Sequence, residues 1–273
     1  MRLIFIRHGD PDYEKDNLTQ KGKREVELLT KRVCSWKNIT AFYQSPLGRA
    51  KATAAPSLAA LGREATTCEW LKEFDAKTKM TKNYPEKNLI GKNVMCWDLL
   101  PEFFTSDKKF FDKDLWTSSR FMKSGKIKKY YKFVCNGIDD ILSQYGYQRN
   151  NHNFYDVKNP VPNHNWNQPV EKYHLKSIKD DYNEETTLVF FCHLGVMFSI
   201  IAHLTGLSPM QLWQGFYVAP TSITILNSEE RIKGQAWFRV ERLGDTNHLT
   251  NGGEPISSSG YFASVLDESQ IIK

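Results

Sequence analysis

The sequence predicts an α/β fold of three layers, with helices on both faces of a mostly parallel central sheet and a large inserted cap. Three observations predict it. The chain opens with an apolar run, RLIFI, that reads as a short buried strand. A second continuous apolar run, TTLVFFCHLG, reads the same way far downstream. At both ends of the chain, strand patterns alternate with helical ones, the signature of a parallel sheet covered by helices.

The elements follow in order. After the strand over residues 2–6, NLTQKGKREVELLTKRV predicts a helix entered through Thr19 as its cap, with Val26, Leu29 and Val33 at helical spacing. Ile39 to Tyr43 has strand character. Ser45 and Pro46 then open a second helix, Pro46 in its first turn, with Ala52, Ala55 and Leu58 as core positions. TTCEWL reads as a third strand that ends near Glu73. From about residue 76 to 183 the pattern loosens into Lys, Asn and aromatic residues, with one helix over 126–145. We expect 1–273 to form a single domain that carries this stretch as an insertion or cap. Residues 148–173, with three prolines and many Asn, have almost no periodicity. Helices are expected again over 196–204 and 209–216, and strands over 222–226 and 236–243.

Composition narrows the function classes. A 273-residue chain with 40% hydrophobic and 25% charged residues has enough apolar surface for a core without staples. Five cysteines, an odd number with no CxxC pair, read as reduced thiols in a cytoplasmic protein. No leader-like start and no apolar segment of membrane-spanning length occur, so no membrane partner is expected. The net charge of +6 is concentrated between Ala76 and Gly137. That stretch reads first as a solvated basic face, and otherwise as a funnel for anionic small molecules or a weak nucleic-acid surface.

The chemistry lies at two strand ends. FIRHG and FFCHLG each deliver a histidine, His8 or His193, followed closely by Gly9 or Gly195. Ligands of an open parallel sheet bind beyond the carboxyl ends of its strands, so the two histidines can face each other there. Arg7 adjoins the first histidine and Arg49 opens the helix after SPLG. Guanidinium forks and a helix N-terminus suit phosphoryl oxygens, and together these groups make a pocket for a tetrahedral dianion. A thiol nucleophile is excluded, because no cysteine has an arginine six positions on.

RHG after the first strand, LTQKG, SPLGRAKAT, a Glu after the next strand and a late strand ending in His resemble the histidine phosphatase superfamily, branch 1, with its phosphoglycerate-mutase-like fold. The resemblance covers roughly the first 75 residues and the last 90. It implies His8 as nucleophile, passing through a phosphohistidine, with Arg7, Arg49 and His193 holding the phosphoryl oxygens. It implies Glu73 as general acid, with Glu69 as a nearby competitor, and it implies no cofactor and no metal. A ring of cations disfavours the imidazolium form of His8, and a backbone carbonyl near Gly9 could hold its other N–H. Leu194 follows the second histidine where the acid-phosphatase branch resembles HD, and RHGDPDY lacks the longer signature of the glycolytic mutases. The expectation is therefore a metal-independent phosphatase of small phosphate monoesters. A phosphoglycerate-type mutase and a non-catalytic phosphoryl-binding protein are the alternatives, with nucleic acid the weaker partner. LGDTNHL near the end resembles the same branch without indicating a role. Trp97, Phe103, Phe104, Phe110, Phe111, Trp116, Tyr130 and Tyr131 are expected mainly to pack the cap, some of them lining the pocket. The stretch around His152 and His164 could form a lid, and His174 and His203 read as structural.

Overall fold

The computed structural model describes residues 1–79, 93–123, 126–158 and 186–263. Strand β1 (Arg2–Arg7) is buried along nearly its whole length, as its unbroken apolar run requires. A short hairpin, β2 (Pro11–Asp12) with β3 (Asn17–Leu18), leads to Thr19. The Thr19 hydroxyl accepts the Gly22 N–H at 3.0 Å and starts α1 (Gln20–Cys34), whose buried stripe includes Val26, Leu29 and Val33.

Strand β4 (Ala41–Gln44) leads to α2 (Gly48–Leu61), which begins later than the sequence suggests, so Pro46 lies before the helix. The Leu47 N–H is taken by the Ser45 Oγ at 3.2 Å, which holds Ser45–Leu47 as a connector. Ala50, Thr53, Ala54, Ser57 and Leu58 form the buried face, while Ala52 is half-buried and Ala55 exposed. A hydropathy reading misses Thr53 and Ser57 because both hydroxyls are satisfied, by Arg49 O at 2.7 Å and Thr30 Oγ1 at 3.3 Å. Of TTCEWL, only the start joins β5 (Ala65–Thr67). Its partner β4 ends at Gln44, so after the Cys68 N–H bonds Gln44 O the ladder stops. Glu69–Leu71 then turns as a 3-10 helix and buries Trp70 and Leu71.

The expected insertion opens with a second hairpin, β6 (Lys77–Lys79) and β7 (Asn93–Met95), then α3 (Pro101–Ser106) and α4 (Ile127–Gln144). Phe103, Phe110, Trp116 and Phe121 are buried in one cluster with Phe74, Trp213 and the sheet residues Phe5 and Phe190. This region is more than a cap. Strands β8 (Tyr147–Arg149) and β9 (Tyr155–Val157) from it form one edge of the central sheet, and three residues each are too few to show an alternating pattern. His164 and His174 lie outside the described residues. His203 sits 2.9 Å from the Asp139 carboxylate, a structural pair.

Strand β10 (Thr187–Cys192) is wholly buried and feeds α5 (Leu194–Thr205), followed by α6 (Pro209–Gly215). The last strands outrun their expected bounds, forming a long hairpin of β11 (Ile223–Ile232) and β12 (Gln235–Asp245) before α7 (Asn247–Asn251). The eight-stranded sheet has the order β5-β4-β10-β1-β11-β12-β9-β8. Strands β5, β4, β10 and β1 are parallel, and the antiparallel strands extend the sheet beyond β1. Ile4, Ile6, Phe42, Val189 and Phe191 pack under α1 and α2, whereas Leu3, Phe5, Tyr43 and Phe190 pack with α4 and α5. Helices thus cover both faces, which is the three-layer arrangement. Among the described residues, no helix is long and apolar enough to cross a membrane.

Candidate active site

Register brings the two strand ends together. Arg7 of β1 pairs with Cys192 of β10, so His8 and His193 leave the sheet side by side. The His8 N–H bonds Cys192 O at 3.0 Å, and the two imidazole rings lie 5.0 Å apart between centroids. Both histidines are buried. The His8 Nδ1 lies 2.7 Å from its neighbour's carbonyl, Gly9 O, which makes Nδ1 the protonated nitrogen and leaves a lone pair on Nε2. Burial, then the Arg7 charge, and then that of Arg49 hold the imidazole well below the usual histidine range, outweighing the Gly9 bond. His8 is therefore a neutral base at neutral pH.

His193 is held differently. Its Nε2 is 2.7 Å from the Ser45 Oγ, which also accepts the Leu47 N–H. With the serine proton pointing at Nε2 the imidazole proton falls on Nδ1; with the proton on Nε2, the Ser45 Oγ accepts it through its second lone pair. That Nδ1 is buried without a partner. Burial, followed by His8 and the two arginines, keeps His193 neutral as well.

Arg7 is buried, with Nη1 donating to Val218 O at 2.6 Å and Nη2 to Ser259 O at 2.8 Å. Arg49, in the first turn of α2, donates from Nη1 to Asp16 Oδ1 at 2.6 Å. The Nε of each arginine is buried and unpartnered. Among the described residues six buried side-chain nitrogen or oxygen atoms lack a hydrogen-bond partner, and half of them are these two Nε atoms and the His193 Nδ1. An unsatisfied buried donor costs about 1–3 kcal/mol, so two arginine Nε groups and a histidine nitrogen left unpaired in one site mark an anion cradle.

Glu73 faces the same space and Glu69 does not. Glu69 is 64% exposed at its side chain and pairs with Lys72 at 2.5 Å. Glu73 Oε1 accepts the Phe74 N–H at 2.7 Å and the Val196 N–H at 3.1 Å, at the first turn of α5. A Cβ on Gly195 would stand 2.6 Å from that oxygen, so only glycine lets the carboxyl lie there. Burial raises the Glu73 pKa against those two bonds and the pull of both arginines. A carboxyl so placed can hold and release a proton.

Several supporting residues carry no local signal in the sequence. Thr53 Oγ1 accepts the Gly9 N–H at 2.9 Å and so ties the His8 loop to the helix that carries Arg49. The Thr221 N–H bonds both Arg7 O at 3.0 Å and His8 O at 3.2 Å, from a left-handed φ of 57° that a β-branched residue rarely adopts. LGDTNHL explains how it is held. Thr221 donates its hydroxyl proton to Pro220 O, so its Oγ1 accepts from His248 Nε2 at 3.2 Å. Arg32 in turn lies 3.4 Å from His248 Nδ1 and 2.6 Å from Asp245 Oδ2. The motif is a buttress behind the His8 strand end.

Two facing histidines and two arginines beyond the carboxyl ends of adjacent parallel strands define an anion-binding α/β protein. Residues 3–88 match the model of the histidine phosphatase superfamily (branch 1), and they include β1, α1 and α2 with Arg7, His8 and Arg49. The fold is similar to that of phosphoserine phosphatase from Entamoeba histolytica in complex with 3-phosphoglyceric acid, at 17% identity and a TM-score of 0.51, covering 91% of this chain and 98% of that one. It is also similar to the mycobacterial glucosyl-3-phosphoglycerate phosphatase with inorganic phosphate, at 14% identity and a TM-score of 0.53, over 90% and 98% of the two chains. A putative alpha-ribazole-5'-P phosphatase from Escherichia coli gives 16% identity and a TM-score of 0.52, over 90% and 97%. No curated protein matches the sequence.

Proposed function

We propose that the protein hydrolyses phosphate monoesters through a phosphohistidine on His8, without a metal. The observation that carries this reading is the set of three unpartnered buried nitrogens, Arg7 Nε, Arg49 Nε and His193 Nδ1, beside a buried histidine that faces His193 at 5.0 Å between rings. Donors fixed in advance can stabilise the charge that builds on the equatorial oxygens as the phosphoryl group moves. His8 Nε2 attacks phosphorus while Glu73 gives its proton to the leaving oxygen. The Glu73 carboxylate then takes a proton from water, the water oxygen attacks the phosphohistidine, and inorganic phosphate leaves with His8 restored. The structural neighbours named above, all phosphatases, support hydrolysis over a mutase or a silent binding protein. The superfamily resemblance and the five unpaired cysteines support a small-molecule substrate and a cytoplasmic setting.

The test is phosphate release from a panel of monoesters in EDTA, for wild type and His8→Ala. We expect the variant to lose at least about a thousandfold in kcat. Release unchanged in His8→Ala, or abolished by EDTA in the wild type, would overturn the reading. Stoichiometric free phosphate distinguishes hydrolysis from a mutase, which returns phosphate to the substrate.

A further inference from the structure

Beyond the anion cradle lies a cleft of about 640 Å³ whose outer walls are aromatic. Trp97 enters from the inserted region, Phe216 and Tyr217 from the segment after α6, and Tyr261 and Phe262 from the segment after α7. These come from three separate stretches, and their rings are held against one another. Tyr217 and Tyr261 stack at 3.7 Å, and Phe262 lies 6.1 Å from Trp97.

The last segment is anchored along its length. Glu254 pairs with Lys21 at 3.1 Å and with Arg24 at 3.0 Å. The Ser257 hydroxyl donates to Asp10 Oδ1 at 2.5 Å, and the Tyr217 hydroxyl donates to Ser257 O at 2.7 Å. Arg7 itself grips Ser259 O, and a Cβ on Gly260 would come within 2.8 Å of that guanidinium. The aromatic wall is therefore fastened to the cradle. Of the eight aromatic residues of the inserted region named above, Trp97 alone lines the cleft.

Charge in the cleft discriminates as well. Its cations among the described residues are Arg7, Arg49 and Lys72, of which the first two serve the cradle and Lys72 is paired with Glu69. Asp75 adds an exposed carboxylate to the lining. A leaving group with its own carboxylate or second phosphate would meet that like charge, and among the described residues of the lining Lys72, already paired with Glu69, is the cation outside the cradle. A neutral flat ring would instead stack on Trp97 and Phe262.

Resting on the phosphatase reading for its position relative to the cradle, we infer that the site takes phosphate monoesters whose leaving group is an uncharged aromatic ring a few atoms from the phosphate. The test compares 2-phenylethyl, 2-cyclohexylethyl and propyl phosphate, whose alcohols are close in acidity, so that the chemical step is held nearly constant. We expect kcat/KM for the phenylethyl ester to exceed that for the propyl ester by about 10–100-fold. Phe262→Ala and Trp97→Ala should each shrink that ratio about fivefold or more, and Phe262 is exposed enough that its loss leaves folding intact. A ratio near one, a ratio unmoved in both variants, or a cyclohexyl ester as good as the phenyl one would overturn the inference. Calorimetric binding of 2-phenylethylphosphonate against propylphosphonate separates the two proposals. Tighter phenylethyl binding without turnover of any ester sinks the phosphatase reading and supports the aromatic subsite, whereas equal binding sinks the subsite whatever the turnover.

Discussion

The two ends of the cleft are built on opposite plans. The proposed phosphoryl end is made of groups at the termini of regular elements: Arg7 at the end of β1 with His8 just past it, His193 after β10, and Arg49 in the first turn of α2. The leaving-group end is made of irregular segments, Phe216–Tyr217 and the stretch from Glu254 to Phe262, whose backbone is fixed by side chains reaching out to it. The first plan sets positions by strand register. The second sets them by isolated anchors, and so can vary without disturbing the sheet. Rigid chemistry and adjustable recognition are thereby separated in one pocket.

Substitutions that strike the two ends unequally sharpen this contrast. The largest effect after loss of His8 is expected from Arg49→Ala, which removes a cradle donor and frees Asp16 beside it; kcat should fall about 100–1,000-fold on every ester alike. Glu73→Gln should lower kcat about a hundredfold on alkyl phosphates and far less on 4-nitrophenyl phosphate, whose leaving oxygen needs no proton. Equal losses on both would remove Glu73 from the acid role. Thr221→Gly relieves the left-handed strain but loosens the contact with His248. The buried side chain it removes outweighs that relief, so a loss in stability of about 1–2 kcal/mol with a several-fold loss in kcat is expected, read from urea midpoints and steady-state rates.

Acid is predicted to weaken the phosphoryl end through protonation. His8 and His193 have folded pKa values depressed by burial, and His248 is lowered to about 4, chiefly by burial and then by Arg32. The unfolded chain takes up protons near pH 6.5 that the folded one refuses. The stability contributed by these groups is thus complete above that pH and is lost as pH falls toward the folded values. The slope is at most about 1.4 kcal/mol per pH unit for each histidine, so urea midpoints at pH 7 and pH 5 should differ clearly. His248→Asn should flatten the dependence modestly, and an unchanged slope would take His248 out of the account.

How much of this was legible follows the same division. Arg7, His8, Arg49 and His193 stand out because apolar runs and a helix start carry them, and the structure brings all four together. The choice between Glu69 and Glu73 needed geometry, since both follow the same strand and only one turns inward. Thr221 was not legible, because nothing local marks a residue whose N–H must satisfy two carbonyls of a distant strand. Nor was the segment near Phe262, which has no periodicity and is held through its backbone. Trp97 could not be told from seven other aromatic residues of the inserted region, since packing and lining use the same side chains.

Strand β1 lies between β10 and β11, and both are translated long after it. A growing chain that has not yet reached β10 has no parallel neighbour for the strand that carries Arg7 and His8, so during synthesis this apolar segment is an open edge. The placing of His8 beside His193 and the protection of that edge arise in the same pairing event, when Arg7 meets Cys192. Contacts so remote in sequence are slow to form. A chain stalled before Thr187 would lack His193 and leave β1 as an aggregation-prone strand, which makes late truncation far more hazardous to this protein than loss of any one side chain in its cleft.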